Sequence, residues 1–469
     1  MVVAAYRVTF EEPHARASPA VVSLQRELDT DWAPDPWSWC DLIGVTHDQL
    51  DPDDTGQEEP LRLMVPFLGG RLRRVPLLGP MTRLVFQGLA ARAVAQVEPR
   101  LSPGVLAYRL SADGTIEHYR SALQERLRME RTLLRTHRYV LVADLRSFFP
   151  TVSASMIDTA LKEHGSTGNR ALLTLLMQFE RWFGYALPEG YAASRALANI
   201  CLLSLDASIT APFTRWLDDY RIFVGSQREG QRIAGRLARA AAGFGYQLSE
   251  SKTRVLRCSE IEEQSYSSLD GHAEEENPVI DEVLATVQAP PITVNRERRL
   301  RLLLRLAAKQ QDAHLLEALA GIEAHHLPAS SLPRLSYALA VCPYTAASER
   351  VFCKLWELDD ELAEWRNLRL AYVLWYWPSE FVSRYKDRLV EAYTRHEATR
   401  IPLIRVFAKH LPQLSVKLAP GGAEFASSRA RYLAAFEGGK HPRPPASLGQ
   451  HIYNPQAAAE QGPPIESYL

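Results

Sequence analysis

Over the first 60 residues the hydrophobic and polar positions follow no period, and Pro, Asp and Trp are frequent. An acidic stretch from Asp48 to Glu59 closes this segment, which reads as an irregular arm. From residue 61 the pattern tightens. Gly69-Gly70 followed by RLRRVP predicts a turn between two short strands. MTRLVFQGLAARAVAQVEPRL has the spacing of an amphipathic helix beginning near Thr82, and residues 118–137 form a second, strongly basic helical pattern. Tyr139, Val140, Leu141, Val142 and Ala143 make a short apolar run of strand type that stops at Asp144. Helices are expected at 153–162, 170–184 and 228–243, with a further one in SRALANICLLSLDASI. TRWLDDYRIFVG reads as a β-hairpin with Asp218-Asp219 at its tip and residues 220–224 as the return strand, and YQLSESKTRVLRC reads as loop and strand. Strands alternating with helices in this way indicate α/β or α+β packing.

Residues 260–278 are polar and acidic and end in Pro, as a linker does. Beyond 279 strand patterns cease. Helical stripes cover 296–309, 312–325, 331–341, 347–358, 361–376, 379–396 and 401–411, with Pro328, Pro343, Pro378 and Pro412 at many of the boundaries. Such a series suggests an α-solenoid or an irregular helical bundle. The expected organisation is therefore an arm (1–60), a mixed domain (61–260), a linker (261–278), a helical domain (279–436) and a Pro-rich tail (437–469).

Composition narrows the classes. Lys and Arg number 54 against 55 Asp and Glu, a formal net charge of −1, so a nucleic-acid partner would have to be held by local basic patches. Two such patches stand out: Arg120, Arg126, Arg128, Arg131, Arg135 and Arg138 in the second helix, and Arg296, Arg298, Arg299, Arg301 and Arg305 around a leucine stripe. Trp365, Tyr372, Trp375, Tyr376 and Trp377 could stack bases, although core packing is the preferred reading. Five cysteines without a CxxC pair fit a reducing cytosol better than a disulfide framework or a zinc site. No apolar run reaches the roughly 18–20 residues that span a bilayer. The start lacks a basic segment followed by an apolar one, so a cytoplasmic location is expected.

Three carboxylates carry the candidate chemistry. Asp144 ends an apolar strand, and Asp218 and Asp219 lie between apolar positions of the expected hairpin. Strand ends can bring all three to one edge of a sheet, where clustered negative charge is unfavourable unless cations bind. Two Mg²⁺ ions, about 3.5–4 Å apart, would relieve that repulsion and activate an attacking hydroxyl. Asp-Asp pairs are also common turn residues, so order and context decide.

In that context the sequence resembles the reverse transcriptases. VADLRSFFP resembles their motif A, LPEGYAASRALANICLLSLD motif B, RWLDDYRIFV motif C and GYQLSESKTRVL motif D, in family order within 139–256. GGRLRRVPLLGPMTRLV and LAYRLS resemble the fingers of bacterial members, so the likeness covers about residues 65–258. It implies an α+β fold: right-hand-like polymerase fingers and palm, with an antiparallel sheet and flanking helices. It implies an RNA-directed DNA polymerase using dNTPs, with Asp144, Asp218 and Asp219 as catalytic residues and ligands of two Mg²⁺ (or Mn²⁺). Phe149 would be the gate against a ribose 2′-OH, Gly190 and Ser194 would line the nucleotide, Lys252 would approach the triphosphate and Arg73 would contact phosphates. Asn199 is expected to pack within the motif B helix. Trp216 departs from the family, where Tyr is usual: the ring is kept and the hydroxyl lost.

The long helical half, HEAT-like in layout, resembles the abortive-infection and related defence-associated bacterial reverse transcriptases. That subfamily implies antiphage defence, synthesis that in some members is protein-primed and template-independent, an RNA template or noncoding RNA in others, and homo-oligomers formed through the helical domain. Tyr6, Tyr453 and Tyr468 are candidate priming residues by position alone. Two alternatives stay open: a retron-like or diversity-generating enzyme copying a structured RNA, and a nonpolymerising RNA-binding scaffold.

Overall fold

The structure, a computed structural model, describes residues 60–261 apart from 68, 69, 79, 113 and 118, and residues 313–418 with Glu297, Leu300, Arg301, Leu303, Leu304 and Ala308. The N-terminal arm, most of the linker, most of the basic patch at 296–309, and Tyr6, Tyr453 and Tyr468 lie outside the described residues. Among the described residues no helix is long and apolar enough to cross a membrane.

The described residues form two compact units, one of them built from Arg83 to the linker, the other from residues 60–82 and those after the linker. The second unit begins with a hairpin, β1 (Leu61–Phe67) and β2 (Arg71–Leu77), paired antiparallel with Leu63 opposite Val75 and Val65 opposite Arg73. Leu63, Val65, Val75 and Leu77 are buried and join one core with Leu300, Leu335, Leu368, Tyr372 and Phe407. This unit is therefore not all-helical, as the sequence pattern suggested: the apolar face of the hairpin is completed by helices that follow more than 200 positions later in the chain. Residues 71–74, including Arg73, are exposed on the hairpin.

The Arg83 unit holds the mixed sheet. Its elements are most of α1 (Pro80–Ala95), α2 (Tyr119–Thr136), β3 (Tyr139–Asp144), α3 (Ala154–Glu163), α4 (Arg170–Phe183), α5 (Ala192–Cys201), β4 (Phe213–Trp216), β5 (Asp219–Val224), α6 (Gln227–Gly243) and β6 (Arg254–Arg257). Sheet order is β4-β5-β3-β6, every neighbour antiparallel. Alternation along each strand sorts side chains to two faces. Leu141, Ile222, Val224 and Val255 share one face, where the Gly230 Cα of α6 sits so close to Val224 and Val255 that an added Cβ would meet Val255 at 2.9 Å. Val140, Phe223 and Leu256 share the other face and pack with Leu127, Leu133 and Leu134 of α2. Asp144 and Asp219 belong to this second face.

The remaining helices are α7 (Ala313–Ala320), α8 (Leu332–Val341), α9 (Ala346–Trp356), α10 (Ala363–Val373), α11 (Ser379–Arg384), α12 (Lys386–Arg395), α13 (Arg400–His410) and α14 (Pro412–Leu418). The stripe at 379–396 is two helices, broken at Tyr385, which stacks on Phe381 at 5.4 Å and donates to Glu357. Trp365, Tyr372, Trp375 and Trp377 are buried, which accords with core packing rather than base stacking.

Candidate active site

The motif A strand ends at Asp144 because the chain then turns. Ser147 adopts φ 49°, and the helical turn Phe148–Thr151 follows. Phe148 is buried against Tyr246, with ring centroids 5.2 Å apart, which leaves Phe149 half-buried at the start of the same turn. The Asp144 carbonyl accepts from Ser249 N at 2.7 Å and Arg146 N donates to Gln247 O at 2.7 Å, tying this turn to the segment before β6.

The hairpin differs by one residue from the sequence reading. Trp216 pairs with Asp219, so the two-residue tip is Leu217-Asp218 and Asp219 is the first residue of the return strand. Leu217 has φ 56°, a left-handed conformation that branched or bulky residues seldom adopt. The register then sets Asp144 directly opposite Asp219 across β3 and β5. Antiparallel partners on one face lie close enough for side chains to touch, and these two carboxyls share a hydrogen bond. Desolvation, that bond, and the charges of Asp218 and Asp144 push Asp219 up to about 7, with Arg126 acting in the opposite sense. The residue as a whole is exposed, so the crowding is local to its carboxyl. Asp144 is buried and accepts from Lys252 Nζ at 2.8 Å.

The site thus gathers Asp144, Asp219 and Lys252 by contact and Asp218 by charge. Among the described residues no three acid, imidazole or thiol groups form a ready metal cage; Lys252 Nζ, 2.8 Å from Asp144, offsets part of the negative charge. Hard carboxylate oxygens crowded in this way are the donor set that a divalent cation such as Mg²⁺ prefers.

Beneath the hairpin lies a buried network that sequence reasoning missed. Arg215 is fully buried and donates to both Asp206 oxygens, at 2.9 and 2.6 Å, to Asn199 Oδ1 at 2.9 Å and to the Leu217 carbonyl at 3.0 Å. Tyr220 donates to Asp206 at 2.9 Å, and Asn199 donates to the Ala107 carbonyl at 2.7 Å. Burial raises the Asp206 carboxyl above the usual carboxylate range, and Arg215 and Tyr220 pull it back. On the opposite face Glu130, also buried, accepts from Arg126 at 2.7 Å, Thr214 at 2.9 Å and Arg221 at 2.5 Å. Arg126 lies over the Trp216 ring, Trp216 meets Tyr108 edge-on, and Arg195 lies over Tyr108, so cations and rings alternate beside the tip. The one advance signal was charge in unusual places: Arg215 within a strand, Asp206 at the end of an apolar helix pattern.

Gly190 has φ 107°, a conformation open to glycine. Ser194 is fully buried on α5, and among the described residues its hydroxyl has no hydrogen-bond partner. Arg73 belongs to the other compact unit.

Residues 97–283 match the family model described as reverse transcriptase (RNA-dependent DNA polymerase). The chain carries a reverse transcriptase domain. That domain, which holds β3 to β6 and all three aspartates, indicates RNA-directed DNA polymerase activity. No curated protein matches the chain.

Proposed function

We propose that Asp144, Asp218 and Asp219 are the catalytic carboxylates of this reverse transcriptase domain and that it extends a DNA chain from dNTPs. The register that sets Asp144 opposite Asp219, with Asp218 in the adjoining tip, carries this reading. In the reaction a primer hydroxyl oxygen forms a bond to the α-phosphorus, the bond from that phosphorus to the β-phosphate oxygen breaks, and pyrophosphate leaves. Two Mg²⁺ ions held by the three carboxylates would supply Lewis-acid activation of the hydroxyl and charge neutralisation at the phosphates.

The chain's own groups do the rest. Cations held by the carboxylates would favour the ionised form of Asp219, and Lys252, more than half exposed, could exchange Asp144 for a triphosphate oxygen. Phe149, half-buried in the turn after Asp144, would serve as the ring under the sugar that excludes a 2′-OH. Gly190 offers close backbone approach, and Ser194, buried on α5, would line the nucleotide only once its hydroxyl is uncovered. Arg73 on its exposed hairpin offers a guanidinium fork to phosphate.

The helical mass that follows the domain supports the narrower reading, action in bacterial antiphage defence. Incorporation of labelled dNTPs by the full chain, with Mg²⁺ and an RNA template annealed to a DNA primer, tests the site. Asp218→Asn is expected to lower the rate by on the order of 10³-fold, corresponding to several kcal/mol of lost charge stabilisation. Parental rates from that variant would remove the assignment. Phage plating with the same variant tests the defence role, which requires that protection be lost.

A further inference from the structure

Helix α6 carries a feature that the active site does not use. It buries Gly230, Ile233, Leu237 and Ala241 against the sheet. Arg228, Arg232, Arg236 and Arg239 are all exposed. At 100° per residue these four fall within an arc of about 80°, turned away from the buried stripe, and along the axis they span about 16 Å. The helix has a single acidic residue, Glu229, and its carboxylate accepts from the Gly225 backbone N at 3.0 Å. Arg236 reaches the Thr210 hydroxyl at 3.4 Å. Among the described residues Arg228, Arg232 and Arg239 have no acidic partner.

Its place in the fold separates this stripe from the catalytic carboxylates. Gly230 packs on Val224 and Val255, and both lie on the sheet face opposite Asp144 and Asp219. Exposed Arg257 of the edge strand β6 is on the same face as Val255. A strand held by α6 therefore runs behind the sheet from the carboxylates.

We propose that the outer face of α6 binds the phosphate backbone of a nucleic-acid strand. Three observations favour this partner over an acidic protein. All four cations are arginines, whose planar guanidinium matches phosphate oxygens two at a time. Two of their three steps, about 6 Å each, come near every second charge of a strand that presents one per roughly 3.4 Å, and the third, about 4.5 Å, lies nearer a single charge spacing. Alongside them stand Gln231, Gly235, Ala242 and Gly243, which are small or neutral, admit a backbone closely and lack the aromatic anchors of a protein interface.

The test is binding, which does not depend on polymerase activity. Full-length chain is titrated by fluorescence anisotropy with a labelled 30-nucleotide single strand of mixed sequence, in EDTA, across a salt series. The triple variant R228Q/R232Q/R239Q is expected to lower the slope of log K against log salt by about 2, at roughly 0.7 per lost contact, whatever the sequence of the strand. R228K/R232K/R239K should keep most of the slope. A control of equal charge change on other exposed arginines of the same unit, R92Q/R170Q/R181Q, should leave it nearly unchanged. An unaltered slope in the first variant, or an equal drop in the control, overturns the proposal. So does poly-glutamate that binds the parent as tightly as the strand and is lost in the same variant, since the face would then suit an acidic protein.

Discussion

Arg215 donates to the carbonyl oxygen of Leu217 at 3.0 Å, from the sheet face opposite Asp219. Leu217 is the left-handed residue of the tip, immediately before Asp218. The guanidinium that fixes this carbonyl is itself held by Asp206 and Asn199. Strained backbone persists where its surroundings over-determine it, and here the surroundings are a buried ion pair.

Breaking that pair should be severe. Arg215→Ala leaves Asp206 buried and unpaired, a loss of about 3–5 kcal/mol readable by urea denaturation. Replacing both partners, R215M/D206L, should recover part of that stability because no charge is left unpaired. Nucleotide incorporation by the double variant should stay low, since nothing then holds the Leu217 carbonyl. Full recovery of both would show that the network serves stability alone.

Gly104 makes the same turn sensitive from another side. A Cβ there would lie 2.1 Å from the Phe213 carbonyl oxygen, and Gly104 O accepts from Arg215 N at 2.7 Å. Gly104→Ala should therefore push β4 away and lower stability by about 1–3 kcal/mol, with incorporation falling more than the folded fraction does. Equal losses in the two measurements would count against transmission to the tip.

Asp219 gives the metal-free protein a pH dependence of known sign. An ordinary aspartate loses its proton near pH 3.9, whereas this one is held up to about 7. Between those limits the folded chain binds more protons than the unfolded chain, so stability falls as pH rises through the window. In EDTA the melting temperature should decline from pH 5 to 8 for the parent and more weakly for D219N. Magnesium competes with the same proton, so its apparent affinity should climb over that range.

Phe149 is half-buried beside Phe148, at 5.6 Å between ring centroids. Shortening it to Val opens space without touching the core ring Phe148. Discrimination against rNTPs should fall by roughly 10–200-fold, the range that a small steric difference supplies, measured as the ratio of kcat/KM for dNTP and rNTP. An unchanged ratio would return Phe149 to a packing role.

Much of this was legible in one dimension. Short apolar runs placed β3 and β5, which are covered on both faces, and a period of 3.6 placed α2, α4 and α6, which bury one face each, to within a residue or two. Order and spacing of the four motif blocks pointed to the three aspartates and to the reverse transcriptase domain. The hairpin tip was misplaced by one residue, since a left-handed Leu217 has no local signal and only pairing with β4 and the bond from Arg215 impose it.

Local pattern and motif chemistry, then, were set by the sequence alone: which segments are strands or helices, and which acids are candidates for catalysis. Tertiary structure decided which of them meet. It put Asp144 opposite Asp219, gave Asp144 to Lys252, buried Arg215 with Asp206, and completed the β1–β2 hairpin with distant helices. Those outcomes depend on long-range register and on the cost of leaving buried charge or apolar surface uncovered, and neither is written in any short stretch of the chain.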